Sequence, residues 1–330
     1  MGGAVSGPSR LRGWGGVAGM TVACALAACV SVLPLAQRDT PSQTASTTSY
    51  GQDAAHARGA RAADCETPEA SLRPSDVSGA AVKRIKERGR LIAGVDQNSF
   101  RWGYRDPATG ELAGFDIDLV RAIAKDILGD ADKVTFRTIP TNQRIPALEQ
   151  RKVDVIARTM TINCDRIKQV AFSTAYFEAG QQVLVPEGSA IKDFDDTLRG
   201  KKVCTAKGST GEAELKEESH GARVLTVDNQ LDCLVRLQLG QVDAVITDSA
   251  LAAGQAAQDP SVKLVGEPFT AEPYGVAMNL KDEDLVRRVN KVLDNYRKGG
   301  QASPWMKSYR KWLSDDLKGI EGPPEPKYKP

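Results

Sequence analysis

A strand-then-helix rhythm that runs once, breaks and starts again constrains this chain more than any other feature. RLIAGV at 90–95 is a short apolar run. GFDIDLVRAIAKDILG follows at 114–129, with Leu119, Val120, Ile123, Ile127 and Leu128 at helical spacing and Gly129 as a stop. KVTFRT at 133–138 reads as a second strand, RIPALEQRK at 144–152 as a short helix with Pro146 near its start, and VDVIA at 153–157 as a third strand. This β-α-β-α-β order argues for a parallel sheet covered by helices. QQVLVP at 181–186 is extended and leaves that unit. A second unit follows: KKVCTA (201–206), EAELKEES (212–219), ARVLTV (222–227), NQLDCLVRLQLG (229–240) and VDAVIT (242–247). PYGVAMN at 273–279 is a second extended crossing, and two amphipathic helices, 282–298 and 303–313, end the folded part. The reading is an α/β protein of two similar lobes, each a sheet flanked by helices. The second is inserted into the first, and two extended segments join them.

The 330 residues suffice for two domains, and a formal charge of +2 points to neither nucleic acid nor an anionic membrane surface. The N-terminus reads differently from the body. Arg10 and Arg12 are its charges, and the apolar run VAGMTVACALAACVSVLPLA follows from Val17. LAAC, Leu26 to Cys29, resembles a bacterial lipobox. That resemblance implies a signal peptide over 1–28, a lipidated Cys29 and anchorage to the outer face of the cell membrane. The alternative is an uncleaved signal anchor. Residues 29–75 then read as a flexible linker rich in Ser, Thr, Ala, Gln and Gly, and 319–330 as a disordered tail.

Cys65, Cys164, Cys204 and Cys233 remain in the body. An even number in an exported chain suggests disulfides; four cysteines allow three pairings, and sequence alone cannot choose among them. Cys204 on a predicted strand and Cys233 on a predicted helix of the same region are favoured, which leaves Cys65 with Cys164. Metal binding has little support: there is no CxxC, and His56 and His220 fall in a linker and a turn. No cofactor is expected.

The candidate chemistry sits beyond the third strand, in ARTMTINCDR at 157–166. Ligands of open α/β sheets bind past the carboxyl ends of the strands. Thr159 and Thr161 offer hydroxyls and backbone N–H groups there, and Arg166 can form a bidentate pair with a carboxylate. Residues 165–170 read as a helix's first turn, which also favours an anion. Each position has a plainer reading: an N-capping region with a surface arginine, a solvated helical Arg144, and an Asp248 that merely caps the following helix.

The motifs GFDIDLVRAIAK, RIPALEQRKVDVIA, TMTINCDRIKQVAFSTAYF, GQQVLV, LRGKKVCTAKGSTGEAEL and LGQVDAVITDSALA occur in one order over residues about 85–315. In that order they resemble the extracellular polar amino-acid-binding proteins of ABC transporters, the solute-binding protein family 3. The resemblance implies a type II periplasmic-binding-protein fold with lobe 1 at 76–183 and 275–318, lobe 2 at 184–274, and two hinge strands. It implies that Arg166 and Thr161 bind an α-carboxylate, Thr159 makes a backbone contact and Asp248 binds an ammonium. Asn163 and Cys164 depart from the family's Thr-Pro, which leaves the role of Cys164 unexplained by the pattern. In KGSTG, Gly208 and Gly211 let the backbone approach a ligand and Lys207, Ser209 and Thr210 can donate; no GxxxxGK[ST] exists, so this is not a P-loop.

PTNQRIPAL at 140–148 resembles the segment of glutamate/aspartate binders in which Arg144 meets an acidic side chain. Arg158 and Arg101 are further cations near the cleft, and several arginines facing one cleft repel unless the ligand carries more than one negative charge. L-glutamate or L-aspartate is therefore expected, then asparagine and glutamine. The expected role is capture by two-lobe closure and delivery to an ABC permease, by a monomer. The alternatives are a sensor that docks on a membrane receptor and an enzyme such as a dehydratase, for which Asp248 and Asp96 are the candidate acid–base groups.

Overall fold

The computed structural model describes residues 65–330. The expectations for the signal peptide, Cys29 and the linker up to residue 64 lie outside that range. No helix among the described residues is long and apolar enough to cross a membrane.

The first sheet has strand order β5-β1-β6-β15-β7, with β1 Leu91–Val95, β5 Val134–Thr138, β6 Val155–Ile156, β7 Val170–Phe172 and β15 Ala277–Asn279. β1 runs parallel to β5 and β6, and β15 runs antiparallel to β6 and β7. Helix α1 (Ala80–Arg88), α2 (Phe115–Leu128), α3 (Arg144–Glu149), α7 (Glu283–Arg297) and α8 (Pro304–Trp312) belong to this lobe. Helix α2 is a helix for the reason its spacing suggests: Leu119, Val120, Ile123 and Ile127 are buried along one side. It stops at Gly129, whose φ of 75° only a glycine adopts without strain. Six aromatic rings knit its N-terminus to the rest of the lobe. Trp102 meets Phe115, Phe177 and Tyr274 edge-on, and Phe177 stacks on Trp305.

The second sheet has strand order β11-β10-β12-β9-β13, with β9 Gln181–Pro186, β10 Lys202–Ala206, β11 Arg223–Val227, β12 Ala244–Asp248 and β13 Val262–Val265. It packs against α4 (Thr210–Glu217), α5 (Gln230–Gln238) and α6 (Ser249–Gln258). Two strands shared by neither sheet, β8 Phe177–Ala179 and β14 Glu272–Tyr274, pair antiparallel and carry the chain between the lobes.

Several expectations change. Residues 181–186 do not join the lobes: they form an interior strand of the second sheet, paired on both sides, as Val183, Leu184 and Val185 are all fully buried. The crossing is made a few residues earlier. Residues 165–169 form turns rather than a helix and Val170 opens β7, although Ile167 N–H reaches the Asn163 carbonyl at 3.1 Å. A small sheet of β2 (Asn98–Ser99), β3 (Gly103–Arg105) and β4 (Leu112–Ala113) fills a stretch in which no strand was foreseen. These strands are two or three residues long, too short to show an alternating pattern.

The ends are also more ordered than composition suggests. Residues 65–75 belong to the first lobe, not to a linker. The side chain of Asn290, fully buried, donates to Ser71 Oγ at 2.8 Å and to the Leu72 carbonyl at 2.6 Å, and accepts from Thr174 N–H at 2.9 Å. The tail at 319–330 docks beside it. Ser71 N–H donates to the Lys327 carbonyl (3.0 Å), Lys329 N–H to the Ser71 carbonyl (2.8 Å) and Lys327 N–H to Thr174 Oγ1 (3.1 Å). Its prolines resemble a disordered composition, but they suit an extended strand that pairs through its remaining N–H groups. Cys65–Cys164 and Cys204–Cys233 are both disulfides, the first tying this N-terminal segment to the 157–166 loop.

The docked tail has a direct consequence. A chain ending at Gly322 should unfold at a lower urea midpoint, by about 1–3 kcal/mol, because buried polar groups lose their partners. An unchanged midpoint would restore the disordered reading of this segment.

Candidate functional site

Strand ends from both sheets point their next residues into one cleft. From the first sheet come Asp96 after β1, Thr141 after β5 and Arg158, Thr159 and Thr161 after β6. From the second come Ser209 and Thr210 after β10 and Asp248 at the end of β12. A cavity between the lobes is lined by Thr141, Arg144, Arg158, Thr159, Thr161, Arg166, Gln181, Ser209, Thr210, Gln230 and Asp248 among others. A roomier recess of about 470 Å³ lies elsewhere, between residues 65–72, 167–173 and the tail. Its charged groups, Glu66, Glu69, Glu283 and Lys329, are exposed or half-buried, so it lacks the converging buried charge of the cleft.

Three guanidiniums are buried in that cleft: Arg144, Arg158 and Arg166 are 4%, 2% and 8% exposed. They are not alike. Arg158 faces Asp96, with Nη2 and Oδ2 3.1 Å apart; the contact is an ion pair without hydrogen-bond alignment, while Nη1 donates to Thr141 Oγ1 at 3.0 Å. Arg166 donates to the Thr161 carbonyl at 2.8 Å and to the Gly208 carbonyl at 3.2 Å. Arg144 donates to the carbonyls of Thr141 (3.0 Å), Arg158 (3.4 Å) and Gly208 (3.4 Å). Among the described residues, Arg144 and Arg166 thus hydrogen-bond to carbonyl oxygens and form no ion pair. Burial, then the repulsion of Arg166 and Arg158, pushes the Arg144 guanidinium well below the ordinary arginine range. Burial lowers that of Arg166 as well, against the pull of Glu272 and Asp248. A guanidinium does not give up its proton, so both stay charged in the cleft against the cost of burial.

Gly208 lets the second lobe come this close. Its φ is 76°, and a Cβ there would sit 3.0 Å from Asn142 Cα of the first lobe. Thr159 has a left-handed backbone at φ 43°, strained for a β-branched residue. It is held by its N–H, which donates to Asp116 Oδ2 at 3.2 Å. Asp116 also accepts from Tyr176 Oη at 2.8 Å, and its complete burial lifts its carboxyl to about 7.

Asp96, expected to bind the ligand, hydrogen-bonds to both lobes and is not among the residues that line the cavity. Its oxygens accept from Ser99 Oγ (2.7 Å) in the first lobe and from Asn229 Nδ2 (3.2 Å) and Gln230 Nε2 (3.0 Å) in the second. Burial works against its charge, but Arg158 and these hydrogen bonds keep its carboxyl below the ordinary range. Asp248 stands at the N-terminus of α6 without capping it. Its carboxyl accepts instead from Gln181 Nε2 and from Tyr274 Oη at 2.6 Å. Burial first, and the Glu272 carboxylate second, raise it to about 7.

Two expected residues stand apart. Lys207 is exposed, on the outer side of the turn, and does not line this cavity. Arg101 turns away to Asp316, 2.9 Å from Nη1, and lies over the Phe100 ring. Ser209 caps α4, accepting from Glu212 N–H at 3.1 Å, and also lines the cavity. Three residues that bear on the cleft were not foreseen. Gln181 opens β9 next to Gln182, Gln230 follows a capping Asn229, and Glu272 sits in the hinge strand; none lies in a pattern that marks it in the sequence, since all three acquire their place from remote partners.

The comparisons with known proteins agree with this geometry. Residues 91–315 match the bacterial extracellular solute-binding proteins, family 3. The ABC transporter glutamine-binding protein of Bacillus subtilis is 39% identical over 232 residues, 70% of this chain and 84% of that protein. The L-glutamate/L-aspartate-binding protein of Pseudomonas aeruginosa is 30% identical over 247 residues, 72% of this chain and 80% of that protein. Among solved structures, an ancestral arginine-binding protein bound to glutamine superposes with a TM-score of 0.63 at 42% identity, over 68% of this chain and 98% of the other. With a matched region that contains both sheets, the hinge pair and every residue of the cleft named above, this chain belongs to the bacterial extracellular solute-binding proteins, family 3.

Proposed function

We propose that the chain captures an acidic amino acid, L-glutamate or L-aspartate, outside the cytoplasm and hands it to an ABC permease. One observation carries the choice of ligand. Arg144 and Arg166 are both buried, line the same cleft and hydrogen-bond to carbonyl oxygens that any anion would outbid. Arg166, beside Thr161, takes the α-carboxylate. Arg144 takes the side-chain carboxylate, and Asp248 takes the ammonium. Thr159 offers backbone and Thr210 and Ser209 offer hydroxyls, while Arg158 is held back by Asp96 and shapes the pocket wall. A dicarboxylate relieves the mutual repulsion of Arg144 and Arg166, which a ligand with one carboxylate does for only one of them.

Glutamine is the second reading, favoured by the names of relatives at 39% and 41% identity. A side-chain amide would present its carbonyl oxygen to Arg144, a weaker acceptor than a carboxylate.

Calorimetry with the twenty amino acids separates the two. Tight binding of glutamate or aspartate, with glutamine at least ~10-fold weaker, is the expected result. Arg166→Ala should abolish binding of every amino acid. Arg144→Ala should cost the acidic ligands roughly 100-fold or more, since it removes one partner of a buried charge pair, and should affect glutamine less. Normal glutamate binding by Arg166→Ala would refute the site; a wild-type preference for glutamine would refute only the acidic ligand.

Asp116 and Asp248, both raised to about 7, also set a pH response. Their folded-state values lie above the unfolded one, so their stabilising effect is complete below about pH 4 and is lost as pH rises through about 7. The ligand-free protein should therefore lose on the order of a few kcal/mol between those limits, seen as a falling unfolding midpoint, and Asp116→Asn should flatten the fall. A midpoint that rose over the same range in the wild type would contradict it.

A further inference from the structure

We propose that Glu272, on the hinge strand and directly behind the Thr161 and Thr210 hydroxyls of the cavity wall, is a second seat for the ligand's ammonium group, so that the amino acid is gripped by a carboxylate of the hinge as well as by Asp248 of the second lobe. The inference rests on the cleft as an amino-acid site and adds a residue to it.

Glu272 is 3% exposed, yet its oxygens meet only neutral donors. Oε2 accepts from Thr161 Oγ1 and from Thr210 Oγ1 (2.9 Å), and Oε1 from Thr270 Oγ1 (2.9 Å). Among the described residues it forms no ion pair with lysine or arginine. A buried carboxylate with hydroxyl partners alone is expensive unless a cation comes to it. Its place tells where that cation would sit. Thr161 belongs to the first lobe and Thr210 to the second, and both line the cleft. Through Thr210 and Gln181 the contacts run on to Asp248: Gln181 Nε2 donates to Thr210 Oγ1 at 3.0 Å and to Asp248 Oδ1. The two carboxylates are thus neighbours in one polar chain, and Glu272 raises the cost of charge on Asp248.

The cations available to them are those of Arg166 and Arg144, and the ligand's carboxylates claim these first. Once those guanidiniums are neutralised, Asp248 and Glu272 would be left as two buried negative charges. A ligand that brings an ammonium with its carboxylates removes the conflict, and a plain dicarboxylate does not. Glu272 therefore acts in specificity: it makes the cleft select for the α-amino group.

The neighbours that bear on titration are few. Asp248 is faced by Tyr274 from β14, by Arg144 and Arg166 from the first lobe, and by Glu272. Glu272 acts on Arg166, Asp248, Tyr274 and Glu214 of α4. Burial and the neighbouring Glu272 carboxylate favour a proton on Asp248, which an arriving ammonium would displace to the solvent.

The test compares L-glutamate with glutarate, which has both carboxylates and no ammonium, on wild type and Glu272→Gln. The amide keeps the size and an acceptor for the threonines but removes the charge. Glu272→Gln should weaken glutamate roughly 30-fold while leaving glutarate unchanged or tighter. Equal losses for both would show a mere structural tie between the lobes and overturn the proposal, as would wild-type affinity for glutamate. If the chain proves selective for glutamine, the same comparison runs with glutamine and its deaminated analogue, so failure of the acidic reading is distinguishable from failure of this one. Calorimetry at pH 7 in two buffers of different ionisation enthalpy provides a second measure. Wild type should release a fraction of a proton on binding, and Glu272→Gln should release clearly less. Should glutarate bind too weakly to measure, the proton count decides, and an unaltered release in Glu272→Gln would overturn the proposal.

Discussion

Three buried guanidiniums in a single cleft are the constraint around which this molecule is built. All three stand on the first lobe, where without partners they would repel one another, and the chain answers each differently. Arg158 is matched by Asp96. Arg144 and Arg166 converge on the same Gly208 carbonyl, a dipole from the opposite lobe that holds two cations weakly. A carbonyl balances a guanidinium less well than a carboxylate does. The remaining attraction is left for a ligand, and the carboxylates of Asp248 and Glu272 define the other pole. The cleft is polarised from end to end, as a zwitterion is.

The same contacts govern motion. Between the lobes run Gly208 with the two arginines, Asp96 with Asn229 and Gln230, Thr141 N–H to the Asp228 carbonyl at 3.3 Å, and Trp102 Nε1 to the Ala250 carbonyl at 3.2 Å. Such bonds contribute about 1 kcal/mol each once their exchange with water is counted. A handful of them is a modest sum, and under the proposed function a ligand touching both lobes would add to it. The connecting strands β8 and β14 are three residues long and pair with each other rather than with either sheet, while Phe177 and Tyr274 anchor them in the first lobe's aromatic cluster.

How much of this was legible in the sequence follows from which forces act locally. Helix α2 and strands β1, β5 and β6 were readable because burial repeats at fixed spacing within a few residues. Arg166, Thr161 and Asp248 were placed at the cleft by the strand-end rule together with the family resemblance, and all three line the cavity. Other assignments failed where the partner is remote. Whether QQVLVP joins lobes or fills a sheet depends on β12 and β13, more than fifty residues on, and its continuous apolar run should have suggested the interior of a sheet. The tail's order depends on Ser71 and Thr174, neither visible from its own prolines. Arg158 read as a free cation because nothing near it in sequence announces Asp96, sixty-two positions earlier. Glu272 passed unnoticed for the same reason: its meaning comes from Thr161 and Thr210.

Cys164 now has a physical role that the family pattern did not supply. It lies two residues before Arg166, in a stretch made of turns, where no helix or sheet ladder fixes the backbone. The disulfide to Cys65 ties that stretch to a segment that Asn290 and the tail in turn fasten to the first lobe. On the other side, Asn163 Oδ1 accepts from Arg166 N–H at 3.0 Å. A loop held at both ends has fewer arrangements to give up when a ligand arrives, and ordering costs of that kind subtract directly from affinity. The strained backbone at Thr159, supported by Asp116 and through it by Tyr176, follows the same logic. The lobe is thus braced at the loop that presents its buried charge.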